Sequence, residues 1–324
     1  MVTFLFKRLL QSFIVMFTVA LIAFSMFRFV GDPINNMVGQ DTTQAEREVL
    51  REKLGLNDPF IVQFGRFAAN AAVGDFGNSY KFKIPVRDMI LERMPATLEL
   101  AFVSAILALL IGIPFGVYTA LRRNGFWSKV VMTMSLVGVS LPTFLIGILL
   151  ILFFGVILRW LPTFGRGDVV DLGFWTTGFL TWSGIQSLIL PSITLALFQM
   201  TLIMRLVRAE MLEVLRTDFV KFARARGLPD RSVHFKHALK NTLVPVITIT
   251  GLQLGSLIAF AIITESVFQW PGMGLMFVQA ISDVDIPIMA AYLVLIAFFF
   301  VVINMIVDIL YFAVDPRLRT KDGS

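Results

Sequence analysis

Six apolar segments, each about as long as a membrane-crossing helix, constrain this chain more than any other feature. As a helix, about 20 apolar residues cross the roughly 30 Å hydrocarbon core of a bilayer. The segments cover residues 9–29, 98–121, 130–158, 187–207, 243–264 and 288–312. The first follows Lys7 and Arg8 but is too long for a signal peptide, so we expect a retained helix. The sequence therefore predicts an all-α polytopic membrane protein with six transmembrane helices.

Composition supports this fold class and removes several kinds of chemistry. Of the 324 residues, 57% are hydrophobic and 15% charged, whereas soluble domains carry about 25% charge. There is no cysteine and only two histidines, which excludes disulfides and disfavours a catalytic metal site. A G-x-x-x-x-G-K-[ST] phosphate loop is also absent from the sequence. We therefore predict no catalytic residue, metal site or cofactor in this chain. If the protein moves a substrate uphill, the energy must come from an ion gradient or a partner.

The distribution of lysine and arginine predicts the orientation, because cytoplasmic loops retain positive charge. Residues 205–240 hold nine basic and four acidic side chains, whereas Glu265, Asp283 and Asp285 are the charged residues of the fifth connection. Both termini and the basic segment are therefore expected in the cytoplasm of a bacterial cell, with the spans in its inner membrane. Topology accounts for the net charge of +6, so membrane lipid is a predicted partner and nucleic acid is not.

The long connection after the first span is predicted to form a small extracytoplasmic subdomain. Its stretch 42–56, "TTQAEREVLREKLGL", has helix-forming composition, with Thr42 or Thr43 as N-cap and Gly55 as the stop. The predicted division is an N-terminal transmembrane helix (1–30), the subdomain (31–96), a membrane core (97–312) containing a cytoplasmic loop (208–242), and a tail (313–324).

Polar groups within the apolar segments allow two interpretations each. Gln199 and Gln253 either line a substrate pathway or bond between helices. Charged residues near predicted helix ends are interpreted as interfacial anchors rather than a proton relay; they are Arg28, Glu99, Arg205, Glu265 and Asp308.

Proline and glycine residues predict helix breaks, close helix packing and a turn. "GIPFG", "SLPTF" and "LPSIT" place proline within spans, and Gly251 and Gly255 predict close helix packing. The loop "FQWPGMG", residues 268–274, is either an interfacial turn with Trp270 in the aromatic belt or an external gate containing Trp270, Pro271 and Gly272.

The basic segment predicts two helices separated by a turn. Apolar residues spaced by three and four positions predict one face of a helix that continues from the fourth span; they are Leu212, Leu215, Phe219 and Phe222. Gly227 and Pro229 interrupt this helix. Asp230 or Ser232 is expected to cap a second helix that carries Val233, His237 and Ala238 on one side. The arrangement indicates a surface for a partner protein or lipid headgroups.

Particular motifs give the chain a family resemblance. The run F/Y-V-x-x-A-x-A-x-G-L followed by H-A-x-x-N-x-x-x-P is matched at Phe219, Val220, Ala223, Ala225, Gly227, Leu228, His237, Ala238, Asn241 and Pro245. It resembles the EAA loop of type I ABC importer permeases, in its peptide-type variant. Further similar stretches are "GDPIN", "LGLNDPFIVQF", "GDFGNSY", "WLPTFG", "LPSITLAL", "FQWPGMG" and "VDPRLR". Nearly the whole chain thus resembles the B-type permease subunit of dipeptide and oligopeptide importers.

The resemblance implies an assembly and a mechanism. A C-type permease would form a heterodimer with this chain, two cytoplasmic ATPases would bind ATP and Mg²⁺, and an extracytoplasmic protein would deliver substrate. Closure of the ATPases would move the helix around Gly227, and the spans would carry that motion to the outer gate. The residues implied in this coupling are Phe219, Phe222 and Ala223 as docking area, Gly227 and Leu228 at the turn, and Arg224 and Arg226 as orienting charges.

Other functions remain open at this stage. Related permeases carry dipeptides, longer peptides, nickel chelates, glutathione or peptide antibiotics, and the binding protein largely sets that choice. An ion-coupled secondary transporter is the main alternative, although it would favour an ionisable residue at mid-membrane and internal repeats. A membrane-embedded enzyme or a structural receptor subunit are further alternatives.

Overall fold

A computed structural model describes residues 2–29, 34, 43–53 and 55–314. The elements are mostly helices, with a two-stranded antiparallel ribbon and two π-helical stretches. They are α1 (Val2–Phe29), α2 (Gln44–Lys53), α3 (Phe60–Ala72), α4 (Val86–Leu121), α5 (Phe126–Ser140), α6 (Thr143–Leu150), a π-helix (Ile151–Ile157), β1 (Val170–Asp171), β2 (Thr176–Thr177), α7 (Trp182–Val214), α8 (Asp218–Ala225), α9 (Asp230–Ser232), a second π-helix (Val233–Ala238), α10 (Leu239–Phe268), α11 (Met273–Asp283) and α12 (Ile286–Val314).

Among the described residues, four helices are long and apolar enough to cross a membrane: α1, α4, α7 and α12. Two more spans result if each of two bent helix pairs counts as one span. In the first pair, Phe126–Ser140 meets Thr143–Ile157 at a bend of 110°. In the second pair, Pro245–Gly251 meets Gly255–Phe268 at a bend of 46°. The first bend falls where Pro142 lies at the N-cap of α6, because proline has no N–H to continue a helix. Pro114 and Pro191 lie inside continuous helices. The predicted all-α membrane fold is confirmed.

The central contact of the fold is between α4 and α7. A Cβ on Gly112 would lie 3.0 Å from Ile203 Cγ2, and one on Gly116 2.7 Å from Val207 Cβ, so both glycines allow the two helices to lie close together. Buried residues of this contact belong to the same cluster as residues of α8 and the second π-helix; they include Ala108, Val117, Val207, Met211, Val220, Val233 and Ala238. One packed cluster therefore extends from the spans to the helices within residues 218–238.

The predicted close approach at Gly251 and Gly255 occurs between α10 and α12. A Cβ on Gly251 would overlap the side chain of Val307, and one on Gly255 would lie 2.8 Å from the Phe300 ring. The small residues therefore let α12 lie directly on α10.

Substituting Gly251 with valine is expected to lower the unfolding temperature of the protein in detergent. The added side chain overlaps Val307, and such overpacking typically costs about 1–3 kcal/mol. Gly65→Ala is the matched control, because a Cβ on Gly65 meets open space and alanine favours a helix by about 0.5–1 kcal/mol. Equal unfolding temperatures for Gly251→Val and the wild-type protein would contradict this packing.

The segment between α1 and α4 forms two described helices. Thr43 and Glu46 form a reciprocal capping box: Thr43 N donates to Glu46 Oε2 at 3.0 Å, and Glu46 N donates to Thr43 Oγ1 at 3.3 Å. The Glu46 carboxylate accepts from both Thr43 N and Thr43 Oγ1, and these two hydrogen bonds lower the pKa of Glu46. Gly55 follows α2 with φ +64°, as predicted for the stop, whereas Thr42 lies outside the described residues.

The second of these helices, α3, packs against the membrane helices. Phe64 is buried in a cluster with Ala20 of α1 and Val294 of α12. Helix α4 runs continuously through residues 96 and 97, so the predicted subdomain and the membrane core share a helix. That residues 31–96 lie outside the cytoplasm stays a prediction.

Candidate coupling surface and outer loop cluster

The predicted turn after α8 is a helix-ending motif that requires a left-handed residue. Leu228 N donates to Ala223 O at 3.3 Å and Gly227 N donates to Arg224 O at 2.9 Å, which is the Schellman pattern. Gly227 has φ +76°, a conformation that glycine adopts without the penalty that a Cβ would bring. The local reason for glycine at this position is therefore the reversal of the chain at the end of α8.

Two aromatic side chains of α8, Phe219 and Phe222, are exposed. Together with the exposed Arg224, Arg226 and Leu228 they form what we term the coupling surface. Phe219 is 43% exposed and Phe222 is 62% exposed. Exposed aromatic residues next to arginine are typical of protein interfaces. The surface could therefore hold a partner by apolar contact.

Two sequence predictions about this segment are wrong. Helix α7 ends at Val214 and α8 begins at Asp218, so Leu212 and Leu215 do not share one continuous helix with the phenylalanines. Both leucines pack instead against the central cluster. Ala223 is buried in that cluster and contributes internal packing rather than docking area, since the opposite face of α8 is the exposed one.

The predicted second helix is present but begins differently. Pro229 is its N-cap, and Asp230 is the first helical residue. Val233 and Ala238 are buried, whereas His237 is exposed. The helix continues through the π-helical residues Val233–Ala238 into α10, so the turn after α8 connects directly to a membrane helix.

The charged residues of the coupling surface interact within the chain. The Arg226 guanidinium lies 5.8 Å from the centroid of the Phe222 ring. Arg224 Nη2 lies 3.5 Å from His234 Nε2, and Arg224 Nε lies 3.9 Å from Asp230. Both arginines thus have a defined position on the surface, and their roles toward a partner stay predictions.

On the opposite side of the fold, the loop after α10 is tied to α4. Trp270 is 1% exposed and its Nε1 donates to Ala96 O at 2.9 Å. The Glu265 carboxylate accepts hydrogen bonds from Thr97 Oγ1 at 2.6 Å and Leu275 N at 2.9 Å. Thr97 Oγ1 in turn accepts from Met273 N at 2.8 Å. We term these six residues, with Pro271 and Gly272, the outer loop cluster, after the orientation that the charge distribution predicts. Its bonds hold the start of α11 against α4.

The three predicted gate residues, Trp270, Pro271 and Gly272, are all buried or half-buried in the outer loop cluster. A Cβ on Gly272 would overlap the Glu265 carboxylate, so glycine is required for the loop to close over that group. Pro271 is half-buried beside it. Because Trp270 is buried among Leu100, Leu195 and Ala261, the structure disfavours the interpretation as an aromatic-belt residue.

A second buried carboxylate fixes the ribbon between the π-helix and α7. Glu99 and Arg166 form an ion pair at 2.6 Å, with side chains 3% and 7% exposed. Arg166 Nη2 also donates to Thr176 O at 2.7 Å, and Trp175 Nε1 donates to Glu99 at 3.3 Å. The pair therefore attaches the ribbon to α4.

The interpretation of the charged residues as interfacial anchors is wrong for Glu99 and Glu265, because both are buried and bonded to protein groups. The sequence held one signal for Glu99: the third connection has balanced charge, and Arg166 of that connection is its partner. Glu265 had no comparable signal, since backbone N–H groups and Thr97 are its partners. Asp308 pairs with Arg8 at 2.9 Å between α1 and α12.

Replacing Arg166 with methionine is expected to destabilise the protein strongly. Glu99 would stay buried without its cation, and breaking a buried pair on one side costs about 3–5 kcal/mol. The double variant Glu99→Leu/Arg166→Met leaves no unpaired charge and should unfold at a higher temperature than Arg166→Met alone. Thermal unfolding in detergent measures both, and an equal loss in the single and double variants would contradict the role of the pair.

The two predicted pathway residues, Gln199 and Gln253, lie on different helices, and no hydrogen bond joins them in the described part of the chain. Gln199 is 2% exposed on α7, and its Nε2 has no hydrogen-bond partner within the described part of the chain. Gln253 lies half-buried on α10. An apolar cavity of about 430 Å³ lies elsewhere, between α4, α10, α12 and the ribbon; its lining includes Leu98, Phe102, Trp175, Phe179, Leu257, Ile258 and Ile303. Neither glutamine lines this cavity.

Within the described ranges, no group of three or more histidine, aspartate or glutamate residues could hold a metal ion. The buried polar groups of the outer loop cluster bond to one another and to backbone. These bonds attach the loop after α10 to α4.

The described helices thus form a membrane bundle in which a helical turn leads from α8 towards α10 and the loop after α10 is tied to α4. Residues 112–320 match the family described as binding-protein-dependent transport system inner membrane component, and residues 1–101 match the N-terminal region of such components. The chain belongs to this family, and the resemblance seen in the sequence is confirmed.

Curated relatives match over nearly the full chain. The dipeptide transport system permease protein DppB of Alkalihalophilus pseudofirmus is 36% identical, covering 98% of this chain and 100% of that protein. The oligopeptide transport system permease protein AppB of Bacillus subtilis is 40% identical, with 98% and 100% covered. These relatives give no support to an ion-coupled transporter.

Solved structures show the same fold. Inward-facing conformations of the MetNI methionine ABC transporter match with a TM-score of 0.55 and 20% identity, covering 70% of this chain and 96% of that chain. The fold is thus that of a type I ABC importer permease.

Proposed function

We propose that this chain is the B-type permease subunit of a peptide importer of the bacterial inner membrane. The observation that carries the proposal is the match at 36–40% identity to dipeptide and oligopeptide permeases over 98% of this chain. Residues 208–242 and both termini would lie in the cytoplasm, as the charge distribution predicts. The segment 31–96 would lie outside it.

The remaining parts of the importer would be separate chains. A C-type permease would pair with this subunit, two cytoplasmic ATPases would bind ATP and Mg²⁺, and an extracytoplasmic binding protein would deliver the peptide. The exposed Phe219 and Phe222 on α8 support an ATPase contact at the coupling surface, since aromatic side chains supply much of the energy of protein interfaces.

The packing supports a mechanism in which motion passes through the spans. Val220 of α8 belongs to the same buried cluster as Val117 of α4 and Val207 of α7. Closely packed interiors transmit displacement because they have few voids. ATP-driven movement at α8 would therefore displace α4 and α7, and α4 holds the outer loop cluster through Ala96 and Thr97.

Reconstitution tests this function. The complete importer, in proteoliposomes with its binding protein, should take up labelled peptide only when ATP is enclosed with the ATPases. An ionophore that collapses ion gradients should leave uptake unchanged. Uptake that continues without ATP and stops with the ionophore would contradict the proposal.

A further inference from the structure

Helix α11 ends with a strained residue. Asp285 N donates to Ala280 O at 2.9 Å and Val284 N donates to Ile281 O at 3.2 Å, so the helix closes with the same Schellman pattern as α8. The left-handed position is held by Val284, with φ +52°. A β-branched residue in this conformation is an outlier that persists only where surrounding contacts impose it. At the equivalent position α8 has Gly227, which carries no such strain.

The contacts that impose this conformation come from the turn at residues 79–84, which precedes α4. Ser79 Oγ donates a hydrogen bond to Asp285 Oδ2, and Lys81 N donates to the same oxygen at 3.1 Å. Lys81 Nζ pairs with Asp283 Oδ2 at 2.7 Å. The two carboxylates flank Val284 on either side, so the turn fixes the chain immediately before and after the strained residue.

Burial makes this attachment firm. Ser79 and Asp285 are each 1% exposed, and hydrogen bonds in such surroundings are stronger than in water. Tyr80 packs against Ile286 and Ala290 at the start of α12. Its burial and the nearby Asp285 charge raise the pKa of Tyr80 to about 12. The turn and the junction between α11 and α12 are thus one packed unit.

We propose that Val284 is a strained hinge of the outer gate, held closed by the turn at residues 79–84. The outer loop cluster holds the start of α11 through Glu265 and Thr97, and the turn holds its end. When the turn releases Asp283 and Asp285, Val284 relaxes and α11 swings away from α4. The inference rests on the proposed function, because it assigns the hinge to the gate of that permease.

Two variants should act in opposite directions. Val284→Gly removes the penalty on the left-handed conformation and should make the closed arrangement about tenfold more populated relative to the open one. Ser79→Ala removes hydrogen bonds that hold the closed hinge and should increase the open population. The double variant Ser79→Ala/Val284→Gly should return toward the wild-type ratio. A residue that served only for packing would instead add its defect to that of Ser79→Ala.

The distance between α3 and α11 gives a direct measurement. The chain has no cysteine, so cysteines at the exposed positions Asn70 and Gln279 accept two spin labels and no others in this subunit. Pulsed electron paramagnetic resonance of the complete complex, without nucleotide, gives the ratio of closed to open distances. Phe82→Ala is the matched control, because this side chain of the same turn is exposed and should leave the ratio unchanged.

Several outcomes would overturn the hinge. Val284→Gly increasing the open population as Ser79→Ala does would show that Val284 only packs. Identical distances in the wild-type, Ser79→Ala and Val284→Gly proteins would show that the turn holds nothing. Because these distances are recorded without transport, a failure of peptide uptake would contradict the proposed function separately, and the distances would still decide the hinge.

Discussion

Replacing Gly227 with aspartate is expected to leave the complex assembled in the membrane while abolishing ATP hydrolysis stimulated by the loaded binding protein. At φ +76°, a residue that carries a Cβ costs up to about 1–2 kcal/mol more than glycine, which loosens the end of α8. A Cβ at this position meets open space in the chain itself, so the permease should still fold. The added carboxylate would lie beside Arg224 and Arg226 and disturb the charges that a partner meets.

Gly227→Asn is the matched control for this effect. Asparagine has nearly the size of aspartate, carries no charge and tolerates the left-handed conformation better than most residues. It should retain most of the stimulated hydrolysis. The measurement compares ATPase activity with and without loaded binding protein, together with the amount of ATPase that co-purifies with the permease. Normal peptide uptake by Gly227→Asp would contradict the coupling role of this turn.

The parts of the fold that depend on local chemistry could be predicted from the sequence. Apolar length gave the spans, Thr43 gave the start of α2, and Gly55 and Gly227 gave two helix ends. In each case the residue has the property that the backbone needs at that position, such as a capping oxygen or freedom at positive φ. Such local signals can be interpreted from the sequence without knowing which helices pack nearby.

The features that depend on tertiary contacts were not predictable in this way. The end of α11 at Val284 carries no glycine signal, because contacts from a turn some 200 residues earlier impose its conformation. The family resemblance implied Ala223 as docking area, yet α8 turns it toward the central cluster. Glu99 and Glu265 lie near predicted helix ends, and only the folded arrangement supplies the groups that satisfy them.

Replacing Glu265 with glutamine is expected to open the outer side of the permease in the absence of binding protein. The carboxylate accepts from Thr97 Oγ1 and Leu275 N, whereas a glutamine of the same shape must direct its NH₂ group at one of these donors. A buried donor without an acceptor costs about 1–3 kcal/mol, and 1.4 kcal/mol changes a population ratio about tenfold. Hydrolysis of ATP by the complete importer without binding protein should therefore rise by about tenfold.

Two further variants show whether the outer loop cluster itself causes this rise. Thr97→Val removes the hydroxyl that joins Glu265 to Met273 N, so it should raise the same unstimulated rate, and the double variant should add little because both substitutions break one network. Gln269→Asn alters an exposed side chain of the same loop that bonds only to Ser266 O within the described residues, and it should leave the rate unchanged. If Glu265→Gln and Thr97→Val both hydrolyse ATP at the wild-type unstimulated rate, the bonds of the cluster do not hold the gate. If both lower the unfolding temperature without changing that rate, the cluster stabilises the fold and the gate lies elsewhere.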